Sequence, residues 1–241
     1  MKNIVDLLMK VLSAMTVSFL SACSTQVPMP SRHRGFDSKG ELAAKVEARN
    51  ELRVLFVGNS YSFGAPREFA KLASKRGHRV HVDQSTFSGW TLQRHAAFEG
   101  TRQIIRNGNW DVVVFQEFSE IPALPLSRCA AQMFSPLREL VNDARNHGAI
   151  SVLYQTWGHR DGAKNLLGDD FHAMTQRVRA NYQAASENAG GLIVLPVGDA
   201  WEREFFEGRG RMLFLADGSH PSGAGNRLTA SVFVDSLFGK P

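Results

Sequence analysis

Short apolar runs alternate with helix-like stretches along most of this chain, and this alternation restricts the fold more than any other feature. Five runs are strand candidates, at 52–57, 79–84, 111–115, 150–155 and 192–197. Helical stretches lie between and after them, at 66–76, 91–106, 127–147, 171–188 and 223–238. Strands that alternate with helices form a parallel sheet covered on both faces. The pattern therefore predicts an α/β domain with three layers, doubly wound around a central, mainly parallel five-stranded sheet.

The composition is that of an ordinary globular protein. Of 241 residues, 43% are hydrophobic and 21% are charged, which excludes collagen-like, low-complexity and disordered chains. Two cysteines are too few to frame a small disulfide-rich domain. No repeat or linker follows residue 50, so we expect one domain over 51–241. The net charge is +5, but the basic clusters 31–35 and 75–79 lack the interleaved aromatic residues of nucleic-acid sites, so we expect solvated faces and no nucleic-acid partner.

The first 22 residues have the pattern of a signal peptide. A short charged start precedes the apolar run 11–22, which is too short to span a bilayer comfortably. Asp6 is unusual in such a start, and initiation at Met9 would give Met-Lys followed directly by the apolar run. Segment 1–22 is therefore predicted to be a targeting signal rather than part of the folded domain.

The residues before Cys23 look like the lipobox of bacterial lipoproteins, since positions 20–23 are Leu-Ser-Ala-Cys. This resemblance implies that Cys23 carries lipid and anchors the protein in the cell envelope, on the periplasmic or outer-membrane side. Residues 23–50 are polar and would form a tether, with a short helix over 41–50. The alternative is an ordinary cleaved signal followed by a chance cysteine.

In open α/β sheets, ligands bind beyond the carboxyl ends of the strands. The segment after the first strand candidate is Gly-Asn-Ser-Tyr-Ser-Phe-Gly, at 58–64. Ser60 falls where the chain leaves the strand toward a helix, so its hydroxyl would face the cleft close to backbone N–H groups that favour developing negative charge. Taken alone, the segment is equally consistent with a simple Gly-Asn-Ser turn.

Asp217 and His220 lie three residues apart in a loop rich in Gly, just before the last helical stretch. One compact turn can place such a carboxylate beside imidazole Nδ1, which leaves Nε2 free to accept a proton from a serine. Asp217 could equally be a turn or helix-capping residue. The pair therefore predicts an acid–base site only in combination with Ser60.

Together these segments resemble the SGNH (GDSL-like) hydrolase family. The matching parts are Gly-Asn-Ser after the first strand, Gly in Phe-Ser-Gly-Trp after the second, Gln-Glu after the third, and Asp-Gly-Ser-His-Pro-Ser before the last helix. The resemblance covers residues 52–238, and the order and spacing of the motifs are more specific than any one of them. It implies a flavodoxin-like SGNH fold and an esterase that uses neither a cofactor nor a metal.

Carried over position by position, the resemblance makes Ser60 the nucleophile, His220 the general base and Asp217 its orienting acid. The backbone N–H groups of Ser60 and Gly89 would form two arms of the oxyanion hole. The sequence departs from the family after the third strand. Most members have an asparagine there as the third oxyanion donor, and Gln116 stands at that place with the same amide on one more methylene.

Three further residues are candidates for contacts with substrate: Asn59, Glu117 and Trp157. Glu117 would bind substrate, orient Gln116, or pair with an arginine such as Arg94. Trp157 follows the fourth strand and would either stack on a sugar ring or pack within its own domain. The remaining histidines show no ligand-like spacing, so we expect no metal site.

The leading hypothesis is therefore an envelope-anchored serine esterase that acts through an acyl-enzyme. A compact domain with no evident lid favours short acyl groups, for instance acetyl esters on glycans, over long-chain lipids. Two alternatives stay open. One is an O-acyltransferase in which a sugar hydroxyl replaces water, and the other is a non-catalytic glycan-binding lipoprotein on the same fold.

Overall fold

The computed structural model of the chain describes residues 39–163 and 168–239. The predicted signal peptide 1–22, Cys23 and the first part of the predicted tether lie outside the described residues. Five strands form one sheet in the order β2-β1-β3-β4-β5, and every neighbouring pair is parallel. The strands are β1 Leu52–Gly58, β2 Val80–Thr86, β3 Val112–Phe115, β4 Ile150–Tyr154 and β5 Ile193–Leu195. The predicted α/β class and five-stranded parallel sheet are confirmed.

Helices cover both faces of the sheet. They are α1 Lys39–Glu47, α2 Ala65–Lys75, α3 Leu92–Ala97, α4 Glu99–Asn107, α5 Leu126–Asn146, α6 Phe171–Asn188, α7 Val197–Phe206 and α8 Gly223–Phe238, with short 3₁₀ turns at Ser60–Ser62 and Gly210–Leu213. Within the described ranges, no helix has the length and apolar character needed to cross a membrane.

The core has two layers because side chains alternate along each strand. On one face of β1, Val54 and Phe56 pack in a cluster with residues of α2 and α8. On the other face, Leu55 and Val57 pack in a cluster with residues of α5 and α6. This double burial explains why β1 is almost continuously apolar. Its pairing with β2 on one side and β3 on the other places β1 inside the sheet rather than at its edge.

The structure differs from the predicted elements in three places. The helix predicted over 91–106 is interrupted at Phe98, whose backbone is extended, so that two short helices replace it. The strand predicted over 192–197 ends at Leu195, because Pro196 has no N–H for the sheet and instead caps α7, which the sequence analysis had not assigned. The short helix predicted over 41–50 is present as α1, at Lys39–Glu47, but it buries Leu42 in the core instead of forming part of a free tether.

Candidate active site

The predicted site residues come together at one edge of the sheet. Because all five strands are parallel, their carboxyl ends meet there. Ser60 begins the 3₁₀ turn after β1, Gly89 follows β2, Gln116 follows β3, and the turn with His220 comes directly before α8. Segments as far apart as 160 residues in sequence are thereby placed in contact.

Ser60, His220 and Asp217 form a continuous chain of hydrogen bonds. Ser60 Oγ lies 2.9 Å from His220 Nε2, and His220 Nδ1 lies 2.8 Å from Asp217 Oδ2. With the Nδ1 proton donated to the carboxylate, Nε2 is the acceptor that can take the proton of the serine hydroxyl. The three-residue spacing of Asp217 and His220 produces the side-by-side geometry that the sequence analysis predicted.

A tight turn holds the carboxylate of Asp217 in place. Its Oδ1 accepts hydrogen bonds from the backbone N–H groups of Ser219, at 2.8 Å, and His220, at 2.9 Å. Partial burial acts to raise the pKa of Asp217, but these N–H groups and the His220 ring outweigh it and hold the pKa below its ordinary value. The group is therefore an anion at neutral pH and can stabilise an imidazolium.

A stack of aromatic side chains packs against the turn 217–220, called here the histidine turn. The Tyr61 ring meets the His220 ring edge-on, with centroids 5.3 Å apart, and its hydroxyl hydrogen-bonds Ser219 Oγ. Trp157 stacks on Tyr61 at 4.9 Å and donates its Nε1–H to the Ser219 carbonyl at 3.1 Å. Trp201 in turn stacks on Trp157 at 3.5 Å. The stack connects the turn to the core.

Trp157 is therefore not a platform for a sugar ring. Its side chain is fully buried, with the indole N–H already bound to the turn. The sequence left open whether Trp157 stacks on a sugar ring or packs within its own domain, and in the structure it packs within the domain. Nothing in the sequence distinguished Tyr61 and Ser219 as its partners, since their contacts depend on segments that meet only in three dimensions.

The predicted oxyanion donors are the backbone N–H groups of Ser60 and Gly89. That of Ser60 opens the 3₁₀ turn, and the first N–H groups of a helical turn have no partner within it. Gly89 lies in the turn after β2 with a φ of 67°, a left-handed conformation that glycine adopts without strain. A Cβ at Gly89 would meet nothing within 4 Å, so this glycine is required by its backbone conformation and faces open space.

Gln116 is not placed as the third oxyanion donor. Its side chain is fully buried, and both amide hydrogens are used inside the protein. Nε2 donates to Asn59 Oδ1 at 3.1 Å and to the carbonyl of Glu117, while Oε1 accepts from the Asn59 N–H at 2.9 Å and from Ser62 Oγ at 3.0 Å. The amide is packed against the residues of the serine turn, so the predicted donor role is corrected to an internal one.

Asn59 and Glu117 are also internal rather than open to substrate. Asn59 is 1% exposed and donates its Nδ2–H to the Trp90 carbonyl at 3.0 Å. Glu117 is completely buried, and its Oε1 accepts from the N–H groups of Phe118 at 2.7 Å and Leu92 at 3.1 Å. Its partners are backbone groups, not Arg94. Burial raises the pKa of Glu117 to about 8.

His95, on α3, is a site residue that the sequence analysis did not identify. Its Nε2–H donates to the Gly58 carbonyl at 2.8 Å, and its Nδ1 accepts from Thr101 Oγ1 at 3.0 Å. Burial lowers the pKa of His95 to about 4, so the ring stays neutral. It fixes the end of β1 immediately before the serine turn.

Across residues 39–163 and 168–239, no three His, Cys, Asp or Glu side chains are grouped closely enough to hold a metal ion. At the carboxyl ends of the strands, the structure brings together a hydroxyl, an imidazole and a carboxylate. A serine whose proton is accepted by an oriented histidine is the arrangement of nucleophilic acyl transfer.

No protein-family model and no curated protein matches the sequence. Solved structures do match the fold. A DUF4886 family protein from Bacteroides uniformis superimposes with a TM-score of 0.69 at 19% identity, over 79% of this chain and 84% of the other. An acetylxylan esterase from Geobacillus stearothermophilus gives a TM-score of 0.61 at 17% identity, over 78% of this chain and 95% of the other.

A lipase/acylhydrolase from Enterococcus faecalis also matches, with a TM-score of 0.57 at 15% identity, over 77% of this chain and 95% of the other. Such identities establish the fold and leave the chemistry to the site itself. The chain has the three-layer α/β fold of these solved hydrolases, which is the fold that its resemblance to the SGNH family predicted.

Proposed function

We propose that this protein is a serine esterase of the SGNH type that hydrolyses carboxylic esters. The observation that carries the proposal is the hydrogen-bonded chain from Ser60 Oγ through His220 to Asp217. Fold neighbours described as an acetylxylan esterase and a lipase/acylhydrolase support it. An intact chain of these three groups disfavours a purely glycan-binding role.

In the first half of the reaction, Ser60 Oγ attacks the ester carbonyl carbon while its proton passes to His220 Nε2. Asp217 stays ionised and stabilises the imidazolium. The carbonyl oxygen becomes an oxyanion that the N–H groups of Ser60 and Gly89 are suited to receive, and one such donor is typically worth about 10²–10³ in rate. Collapse breaks the ester C–O bond, and His220 returns the proton to the leaving alcohol.

In the second half, water attacks the acyl-enzyme. His220 accepts a proton from the water, the oxyanion forms again in the same place, and collapse releases the carboxylic acid and restores the Ser60 hydroxyl. The sum is ester plus water to acid plus alcohol. A sugar hydroxyl in place of water would give acyl transfer by the same steps.

For the substrate we infer short acyl esters, with acetylated glycans as the class to test first. The compactness of the domain favours small acyl groups, and one fold neighbour is described as an acetylxylan esterase.

For location, we propose that lipid on Cys23 anchors the domain in the envelope. Metabolic labelling with a radioactive fatty acid would test this, since Cys23→Ala should abolish the label, and a label that persists would contradict the proposal.

The proposed activity is tested by hydrolysis of p-nitrophenyl acetate, butyrate and octanoate by the full-length protein. We expect rates that fall with chain length and a Ser60→Ala variant that is inactive. Ser74→Ala, which removes an exposed hydroxyl on α2, serves as the matched control and should keep full activity. Equal rates for wild type and Ser60→Ala would contradict the assignment of Ser60 as the nucleophile.

The same assay, repeated with acetylated xylan and with a free sugar acceptor, separates hydrolysis from acyl transfer. We expect stoichiometric release of acetic acid whether or not the acceptor is present. Acetylated acceptor formed at the expense of free acid would assign the acyltransferase instead.

A further inference from the structure

Three buried side chains connect the segments that carry the two backbone donors of the oxyanion hole. The first connection runs from β3 to the serine turn. The Gln116 amide contacts Asn59 twice, accepting from its backbone N–H at 2.9 Å and donating to its Oδ1 at 3.1 Å. Asn59 immediately precedes Ser60, so this contact fixes the peptide that presents the Ser60 N–H.

The fit around the Gln116 amide is close. A Cβ on Gly58 would lie 2.5 Å from Gln116 Oε1, so a glycine at this place lets the amide reach the turn. Ser62 Oγ donates to the same Oε1 at 3.0 Å, and Asn59 Oδ1 accepts from the Tyr61 N–H at 3.2 Å. Every polar atom of the Gln116 amide is therefore satisfied beneath the turn.

The second connection runs from the serine turn to the Gly89 loop. Asn59 Nδ2 donates to the carbonyl of Trp90 at 3.0 Å. Trp90 follows Gly89 directly, so the Asn59 side chain holds the two donor segments at a fixed separation. The third connection is made by Glu117, whose Oε1 accepts from the N–H of Leu92 at 3.1 Å, at the start of α3.

We propose that Gln116 and Glu117 are positioning residues which, with Asn59, form a buried brace that sets the distance between the Ser60 and Gly89 N–H groups. The inference rests on the proposed esterase function. It replaces the expectation that Gln116 donates to the oxyanion. Donors stabilise an oxyanion only when held where the charge develops, and a buried network centred on a fully hydrogen-bonded Gln116 amide supplies that rigidity.

The test is a double-mutant cycle on kcat for p-nitrophenyl acetate, with Gln116→Met, Asn59→Ala and the double variant. Gln116 holds Asn59 and Asn59 holds Trp90, so that breaking either link should break the brace. We therefore expect each single variant to lose about 10²-fold in kcat. KM should change little, and the double variant should be no worse than the poorer single one. Gln103→Met, the same substitution at an exposed position on α4, is the matched control and should keep wild-type kcat.

A direct donor role for Gln116 gives a different result, because the two losses would then be independent and would multiply to about 10⁴-fold in the double variant. That outcome overturns the brace, and so does full kcat in Gln116→Met. Should Gln116→Met fail to fold, Ser62→Ala takes its place in the cycle, since it removes one partner of the same amide.

Glu117 is tested by a pair of variants. Glu117→Gln keeps an oxygen for the Leu92 N–H and should retain most of the kcat, whereas Glu117→Leu removes the acceptor and should lose it with KM little changed. Equal kcat in the two variants would contradict the role of Glu117. The esterase function is tested separately, by comparing the hydrolysis rates of wild type and Ser60→Ala. If wild type is active and Ser60→Ala is not, the brace can fail while the proposed function stands.

Discussion

The histidine turn and the Gln116–Glu117 pair are both adjacent to the serine turn, yet their surroundings are opposite. The side chains of Asp217 and His220 are 48% and 39% exposed, whereas Gln116 and Glu117 are completely buried. In the proposed mechanism the reacting groups must meet substrate and water, and an open turn that holds them by a few hydrogen bonds gives this access. The groups that hold the backbone need no access, and burial makes their hydrogen bonds stronger and more costly to break.

This difference separates activity from stability. A change in the exposed turn should remove catalysis while the fold persists, because few buried contacts are lost. A change that leaves a partner of the buried pair unsatisfied should lower both, because an unsatisfied polar group in the interior costs about 1–3 kcal/mol. Four measurements test this contrast.

Asp217→Asn should have the largest effect. The amide keeps an oxygen for the N–H groups of Ser219 and His220 but no longer orients the imidazole as a base. We expect kcat to fall by about 10²–10⁴-fold. The melting temperature should stay within a few degrees of wild type in a thermal unfolding scan, and a large fall would show that the turn is structural as well.

Glu117→Gln should change how stability depends on pH. The pKa of Glu117 is about 8 in the folded protein against 4.5 as the ordinary value, so the folded state binds the extra proton between these values. The free energy of unfolding of wild type should therefore fall as pH rises from 4.5 to 8, by roughly a few kcal/mol. Urea unfolding across this range should show a flatter profile for the variant, and parallel profiles would contradict the assignment.

Gly58→Ala should disturb the brace without removing any of its members. The added methyl group would lie 2.5 Å from Gln116 Oε1 and displace the amide. We expect a loss of about 1–3 kcal/mol in the free energy of unfolding, as is typical of overpacking, together with reduced kcat. Gly223→Ala at the start of α8, where the nearest atom is 3.4 Å away on a flexible arginine, is the control and should be neutral or stabilising.

Tyr61→Phe should have the smallest effect. It removes the hydroxyl that bonds Ser219 Oγ but keeps the ring against His220 and Trp157. We expect kcat to fall by less than about tenfold, with a stability change near 1 kcal/mol. Steady-state kinetics and thermal unfolding would check both, and a loss as large as that of Asp217→Asn would place Tyr61 among the reacting groups.

The sequence predicted the structure correctly where a feature depends on a single segment of the chain. The apolar run of β1 predicted a strand buried on both faces, and the turn from Asp217 to His220 predicted its own hydrogen bond. Prediction was poorer where a neighbour decides the backbone, as at Phe98, where an extended residue interrupts a stretch with helical periodicity. There the aromatic contacts of Phe98 with Phe87 and Trp90 come from another segment.

The alternation of apolar and helical segments was enough to predict the α/β class and the parallel sheet, because periodicity is a local property. Ser60, Asp217 and His220 were predicted from short motifs that resemble those of the SGNH family. That Gln116, Glu117 and Trp157 lie away from substrate became apparent only in the folded protein. Their residue types were compatible with contacts to substrate, and what removed them from it was burial, which depends on the packing of segments distant in sequence.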